Sequence, residues 1–215
     1  MEKLRFLGDN HGSHYYYKKA LVDVESSIQV GDFGIGFCPN SSAKKFDDML
    51  DKIPGNHRFI RGNHDNPFEC KLSKHYIEDG TIEGNMMFIG GAGSIDKEDR
   101  LKRDKHESIV EKRQITSWWP EEELSYKELS NFIDLYEKTL PSIMVTHECP
   151  EEISELIKPT RYQFSSRTRQ AFQSMFEIHR PSLWIFGHWH VTADLIWNDT
   201  RFVCLNIDEF IDVKI

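Results

Sequence analysis

The run Lys3-Leu4-Arg5-Phe6-Leu7-Gly8-Asp9-Asn10-His11-Gly12 joins a short apolar stretch to a polar motif flanked by glycines. The apolar half reads as a buried strand, and the glycines mark a turn at its end. Asp9 and His11 therefore fall just past a strand terminus. The same arrangement recurs along the chain. Ser27 to Val30 precedes Asp32, Arg58 to Ile60 precedes Asn63, and Met86 to Ile89 precedes Gly90-Gly91. Ser142 to Val145 precedes His147, and Leu183 to Phe186 precedes His188.

Helical stretches lie between these strands: Ser13 to Asp23, Ser41 to Lys52, Pro120 to Lys138 and Arg167 to His179. In the third, Pro120 suits a first helical position. Glu121-Glu122-Glu123 suits a first turn, where the helix dipole favours acids. Asp194 to Trp197 and Arg201 to Asn206 flank Asn198-Asp199-Thr200 and predict a terminal hairpin. Strands alternating with helices predict an α/β layered sheet. Ligands in such sheets collect at the carboxyl ends of strands. The stretch 90–120 breaks the rhythm. It opens glycine-rich, turns strongly charged from Asp96 to Arg113 and closes on Trp118-Trp119-Pro120. It reads as a long loop with at most one helix, inserted as a cap over the mouth of a site. No repeat or second domain is legible, so 1–215 is read as one domain.

Composition sets the outer bounds. A chain of 215 residues, 39% hydrophobic and 29% charged, is ordinary for a globular protein with a full core. The net charge of −8 argues against gripping a nucleic-acid polymer through a basic face. A nucleotide substrate stays compatible, because bound metal ions would reverse the sign locally. Cys38, Cys70, Cys149 and Cys204 are scattered without a CxxC pair, which points away from thiolate zinc and disulfides. The reading expects reduced thiols, no leader peptide, no membrane span and a cytoplasmic location.

Five motifs carry chemistry: Gly8-Asp9-Asn10-His11-Gly12, Gly31-Asp32, Gly62-Asn63-His64-Asp65, Thr146-His147 and Gly187-His188-Trp189-His190. Asp9 and His11 are two apart, as are His188 and His190. In extended backbone such residues point the same way and can reach one ion. Asp32 ends a strand, where a carboxylate can bridge two ions, and Asn63 adds a neutral oxygen. The set supplies two aspartates, an asparagine and four histidines as ligands, enough for two divalent metals. His64 is left over for proton chemistry. Mixed nitrogen and oxygen donors suit Mn, Fe, Zn or Ni better than Mg or Ca alone. Two metals close together are suited to breaking phosphate esters. His14, His57, His75, His106 and His179 lack such context and are read as surface or structural histidines.

The ordered set resembles the calcineurin-like metallophosphoesterases over roughly Leu4 to His190. The resemblance implies a four-layer α/β/β/α sandwich, two sheets flanked by helices, with a dinuclear centre at one edge. It implies that Asp9, His11, Asp32 and His190 hold one metal, Mn first among the candidates. Asp32, Asn63, His147 and His188 hold the other, so that Asp32 bridges. A shared hydroxide attacks phosphorus, and His64 is the general acid.

Departures from the pattern bear on substrate. The serine/threonine protein phosphatase branch carries GDxxDRG at the second motif, where this chain has Gly31-Asp32-Phe33-Gly34-Ile35-Gly36. Ile35 replaces the acid that orients the catalytic histidine, and Gly36 replaces the phosphate-gripping arginine. Two roles are open to Asp65, orienting His64 or structural hydrogen bonding. Two are open to Arg61, phosphate contact or an ion pair. Arg100, with Arg103, Arg161 and Arg167, is a candidate for the missing clamp, against a solvated charge. The run Gly90-Gly91-Ala92-Gly93-Ser94 resembles a segment of small phage and bacterial members of the superfamily. Trp118-Trp119 has two readings, a base-stacking pair or a loop packed on the core. The expected activity is hydrolysis of phosphate mono- or diesters. Expected partners are a phosphorylated small molecule, nucleotide or phosphoprotein, with no membrane and no nucleic-acid polymer. The competing readings are a catalytically silent scaffold of the same fold and a protein phosphatase.

Overall fold

Alternation along single strands sets the layering. In the computed structural model, which describes residues 3–37, 41–112, 115–158 and 166–214, the strand β5 (Met86–Ile89) sends Phe88 to one side and Met87 and Ile89 to the other. The strand Leu183–Phe186 sends Leu183 and Ile185 one way and Trp184 and Phe186 the other. Strands apolar on both faces must be covered on both. Cys38 and Arg161 lie outside the described residues.

The chain order is β1 (Lys3–Leu7), α1 (His14–Ala20), β2 (Ser26–Gln29), α2 (Ala43–Leu50), β3 (Asn56–Phe59), α3 (Pro67–Cys70), β4 (Thr81–Glu83), β5 and α4 (Lys97–Glu111). A 3₁₀ turn (Pro120–Glu122) leads to α5 (Tyr126–Thr139), β6 (Ile143–Thr146), α6 (Glu151–Ile157), α7 (Arg167–Ile178), β7 (Leu183–Phe186), β8 (Ala193–Trp197), β9 (Thr200–Cys204) and β10 (Phe210–Lys214). One sheet has the order β10-β1-β2-β3 and the other β4-β5-β6-β7-β9-β8. Strands β1, β2 and β3 run parallel, as do β5, β6, β7 and β9, while β10, β4 and β8 join antiparallel at edges.

Three apolar clusters fill three interlayer spaces. Leu4, Phe6, Ile28, Val30, Phe88, Val145, Ile185 and Val203 meet between the two sheets. Met87, Met144, Trp184, Phe186 and Phe202 pack against Leu129, Tyr136, Phe172 and Phe176 of α5 and α7. Leu7, Phe33 and Phe59 pack against Tyr17, Phe46 and Leu50 of α1 and α2. The result is two sheets flanked by helices, the α/β/β/α sandwich expected from the sequence.

Two elements differ from expectation. The helix expected over Pro120 to Lys138 is two pieces, because Ser125 forms a capping box with Glu128 and restarts the helix there. Pro120 opens the 3₁₀ turn with Glu121 and Glu122 in its first turn, and Glu122 and Glu123 also serve as inward hydrogen-bond acceptors. The hairpin at Asn198-Asp199 forms, with both residues at positive φ, but it is not terminal. The chain continues into β10, which pairs with β1. Residues 97–111 form the 15-residue α4, a helix that the reading of 90–120 allowed.

The carboxyl ends of β1, β2, β3, β6 and β7 carry the five motifs and share one edge of the sandwich.

Candidate metal centre

Backbone conformation gathers the donors first. His11, Asp32, His188 and His190 all have positive φ, between 47° and 67°. Non-glycine residues rarely adopt this region, and such outliers concentrate at functional sites. Local bonds hold the turns: His11 N–H donates to Asp32 O at 2.9 Å, and Gly187 N–H to His147 O at 3.2 Å. Two glycines abut the aspartates. A Cβ at Gly62 would overlap the Asp32 carboxylate, and one at Gly187 would overlap that of Asp9.

Asp9, His11, Asp32 and His190 each offer a donor atom, and these lie within 4.8 Å of one another. Asp9 is fully buried. Its Oδ1 accepts the His188 N–H at 3.1 Å. Its Oδ2 makes no hydrogen bond, although His190 Nε2 stands 3.0 Å away. His11 Nε2 and His190 Nε2 face each other at 3.0 Å with at most one proton between them. A buried carboxylate oxygen left without a hydrogen bond is costly. The donor set fits a divalent cation, which would satisfy that oxygen and both rings.

A second group adjoins the first through Asp32. His147 Nε2 lies 3.4 Å from Asp32 Oδ1 and 3.0 Å from Asn63 Oδ1, and His188 Nδ1 lies 2.9 Å from the same amide oxygen. His147 Nδ1–H donates to Val30 O at 2.8 Å, which leaves Nε2 a lone pair facing the amide oxygen. His188 Nε2 lies 3.7 Å from Glu148, a buried carboxylate that also accepts Trp189 Nε1–H at 2.7 Å. The structure thus brings together all seven residues that the sequence singled out as ligands.

Electrostatics follow from this packing. Burial alone would raise Asp32, but His147, His64 and His11, with the His64 N–H, hold its carboxyl well below the usual range. Burial works against a charged His147, yet Asp32 and Asp9 raise its pKa. The same field favours a cation. Burial, joined by His147, pushes His188 well below its ordinary value.

His64 stands at the edge of the cluster. Its N–H donates to Asp32 Oδ1 at 2.7 Å, and its Nδ1 lies 3.1 Å from His11 Nδ1. The ring stacks on Phe37 with centroids 4.8 Å apart. Burial lowers its pKa, with help from Arg100 and His11 and against Asp32.

Asp65 takes the structural role. Its carboxylate accepts from the N–H groups of Phe33, Gly34, Ile35 and Gly62. Arg61 is buried. Its Nε donates to Asp79 at 2.8 Å and its Nη1 to the carbonyls of Glu121 and Glu122. Arg100 is 1% exposed. Its Nη2 donates to Glu122 at 2.8 Å and to Asn63 O at 3.4 Å, while Nε and Nη1 make no hydrogen bond. Arg167 bonds the Leu124 and Glu123 carbonyls, and Arg103 bonds Ser117. Trp119 is buried, and Lys97 sits over the Trp118 ring at 4.2 Å. His57 is a satisfied structural histidine, between Ser27 and Pro54 O.

Sequence reasoning missed Phe37, Ser94, Glu122 and Glu148. Glu148 follows His147 directly, and Ser94 ends the glycine-rich run, so position was the available signal. Glu122 had none once its acids were assigned to a helix dipole.

Solved structures with the same fold include the phosphopantetheinyl hydrolase of Mycobacterium tuberculosis, at 11% identity and TM-score 0.54, covering 96% of this chain and 90% of that one. A dimetal phosphatase from Danio rerio aligns at 14% identity and TM-score 0.56, covering 96% and 88%. No curated protein sequence matches the chain. A family model for calcineurin-like phosphoesterases matches residues 3–192, and the chain belongs to that family.

Proposed function

We propose that this protein hydrolyses phosphate mono- or diesters at a dinuclear metal centre. The observation that supports this best is the convergence of seven donor side chains from five strand-end loops, with Asp32 between the two groups. Asp9, His11, Asp32 and His190 would hold one ion, and Asp32, Asn63, His147 and His188 the other. Two bound divalent ions would supply Lewis-acid polarisation of the ester and an activated water. Mn²⁺ is the first choice, and Fe, Zn or Ni also suit these donors.

The chain's own groups complete the chemistry. His64 is the general acid: its lowered pKa makes the protonated ring a stronger donor to a leaving oxygen. Stacking on Phe37 holds that ring in one plane. Arg100 is a substrate clamp only if its cover moves, because it is 1% exposed and already faces Glu122 and Asp96. Arg61, engaged by Asp79 and two carbonyls, is left as an anchor beneath it. Residues 90–120 act as a cover of one domain spanning 1–215. Ile35 and Gly36, in place of acid and arginine, weigh against a protein phosphatase. The complete ligand set with His64 weighs against a silent scaffold.

The test is a paired assay of p-nitrophenyl phosphate and bis-p-nitrophenyl phosphate with Mn, Ni, Zn and Mg, followed by phosphopeptides and nucleotides. Turnover should need metal and stop on chelation. Chelator-resistant turnover would contradict the dinuclear reading, and no turnover at full metal loading would favour the scaffold.

A further inference from the structure

The amide of Asn63 has two ways to sit. With Oδ1 toward His147 and His188 it sets a third ligand atom, an oxygen, beside those two ring nitrogens. Flipped, its NH₂ would donate to the lone pair on His147 Nε2, 3.0 Å away, and face His188 Nδ1 at 2.9 Å. Toward the two rings alone the flipped form is satisfied without a metal, and it offers no ligand. Something else must therefore select the orientation seen.

That selection comes from residues 90–122. Asn63 Nδ2–H donates to Ser94 Oγ at 2.9 Å. The Ser94 hydroxyl proton is directed away, to Glu122 Oε2 at 2.8 Å, so its oxygen can only accept from the amide. Glu122 has no freedom to reverse this. Its Oε1 takes the Ser94 N–H at 3.0 Å, and its Oε2 also takes Arg100 Nη2–H at 2.8 Å. Ser94, Asn63 and Glu122 are each at most 5% exposed, so water does not substitute for these partners. Burial raises the Glu122 carboxyl, and Arg100 with the two Ser94 donors pulls against it.

We infer that Ser94 and Glu122 are positioning residues: a one-way chain from Asn63 through Ser94 to Glu122 locks the Asn63 amide with its oxygen toward His147 and His188, pre-forming the second metal site. The inference rests on the dinuclear reading above. It also gives residues 90–122 a defined task, which is to hold a ligand on another loop.

The experiment is Mn²⁺ titration by calorimetry of the full chain stripped of metal. Wild type, Ser94→Ala, Ser94→Thr and Glu122→Gln are compared. Ser94→Ala removes the acceptor and frees the amide to flip. One of the two Mn²⁺ affinities should fall roughly 10- to 100-fold while the other stays, the range for lost outer partners of metal ligands. Ser94→Thr keeps the hydroxyl and should restore it. Glu122→Gln sets an N–H against either Ser94 N–H or Arg100 and should show the same selective loss. If that variant does not fold, Ser94→Ala decides alone. Two wild-type affinities in Ser94→Ala would overturn the relay, as would equal weakening of both ions. A wild-type protein that binds fewer than two ions would instead overturn the dinuclear reading, and this inference with it.

Discussion

Asp65 on the loop after β3 accepts the backbone N–H of Gly34 on the loop after β2 at 2.6 Å. Three more N–H groups, of Phe33, Ile35 and Gly62, reach the same carboxylate. One side chain thus clamps the loop that carries Asp32 to the loop that carries Asn63. Asp65→Asn would set an amide donor against backbone donors in a fully buried place. We expect a loss of roughly 2–4 kcal/mol. For a chain of this size that lowers the melting temperature by roughly 4–16 °C, measurable by calorimetry.

Gly187 abuts the Asp9 carboxylate, where a Cβ would overlap Oδ1. Gly187→Ala should displace Asp9 and leave the interlayer cores intact. Metal content should fall, and turnover should drop by about 100-fold or more, as small displacements at a reacting centre do. Circular dichroism should be unchanged. Full turnover with full metal loading would show that the added methyl does not displace Asp9.

His64→Asn keeps a polar side chain beside Phe37 and removes the ring. We expect kcat to fall by roughly 10²–10⁴-fold with both metals retained. Undiminished turnover would exclude His64 as the acid.

Strand β10 is tied to β1 by a bidentate pair, Arg5 Nε and Nη2 to Asp212 at 2.7 and 2.9 Å. Lys3 adds a third contact at 2.7 Å. Hydrogen bonds from Arg5, against burial and with help from Lys3, hold the Asp212 carboxyl down at about 2, from an ordinary 3.8. The folded chain keeps this carboxylate charged to lower pH than the unfolded chain does. The pair therefore stabilises fully above the ordinary value and is lost as pH falls through about 2. Denaturation midpoints of wild type and Asp212→Asn should differ at pH 6 and converge toward pH 2. A constant difference would show that the pair does not titrate with folding.

The buried strands were legible because apolar runs with glycine at their ends leave few alternatives. Lys3–Leu7, Met86–Ile89 and Leu183–Phe186 stand where the pattern put them. The strands Thr81–Glu83 and Phe210–Lys214 were not legible, because edge strands are half exposed and lack such a run. The break at Ser125 was missed because a capping box only two residues past an acidic run competes with a plausible helix start. Arg61 and Asp65 each had two open roles in sequence. Burial and partners distinguish them, and both depend on residues far along the chain.

The sequence by itself determined the buried strands and the ordered motif set that carries the family resemblance. These depend on local periodicity and on residue types fixed beside strand ends, and both are written in neighbouring positions. Only the tertiary structure decided that Asp65 joins two loops. Only it showed that Glu122 faces Asn63 through Ser94. These relations join residues 28 to 59 positions apart on separate elements. Their hydrogen bonds form only when packing of the two sheets excludes water and leaves each buried donor a single partner.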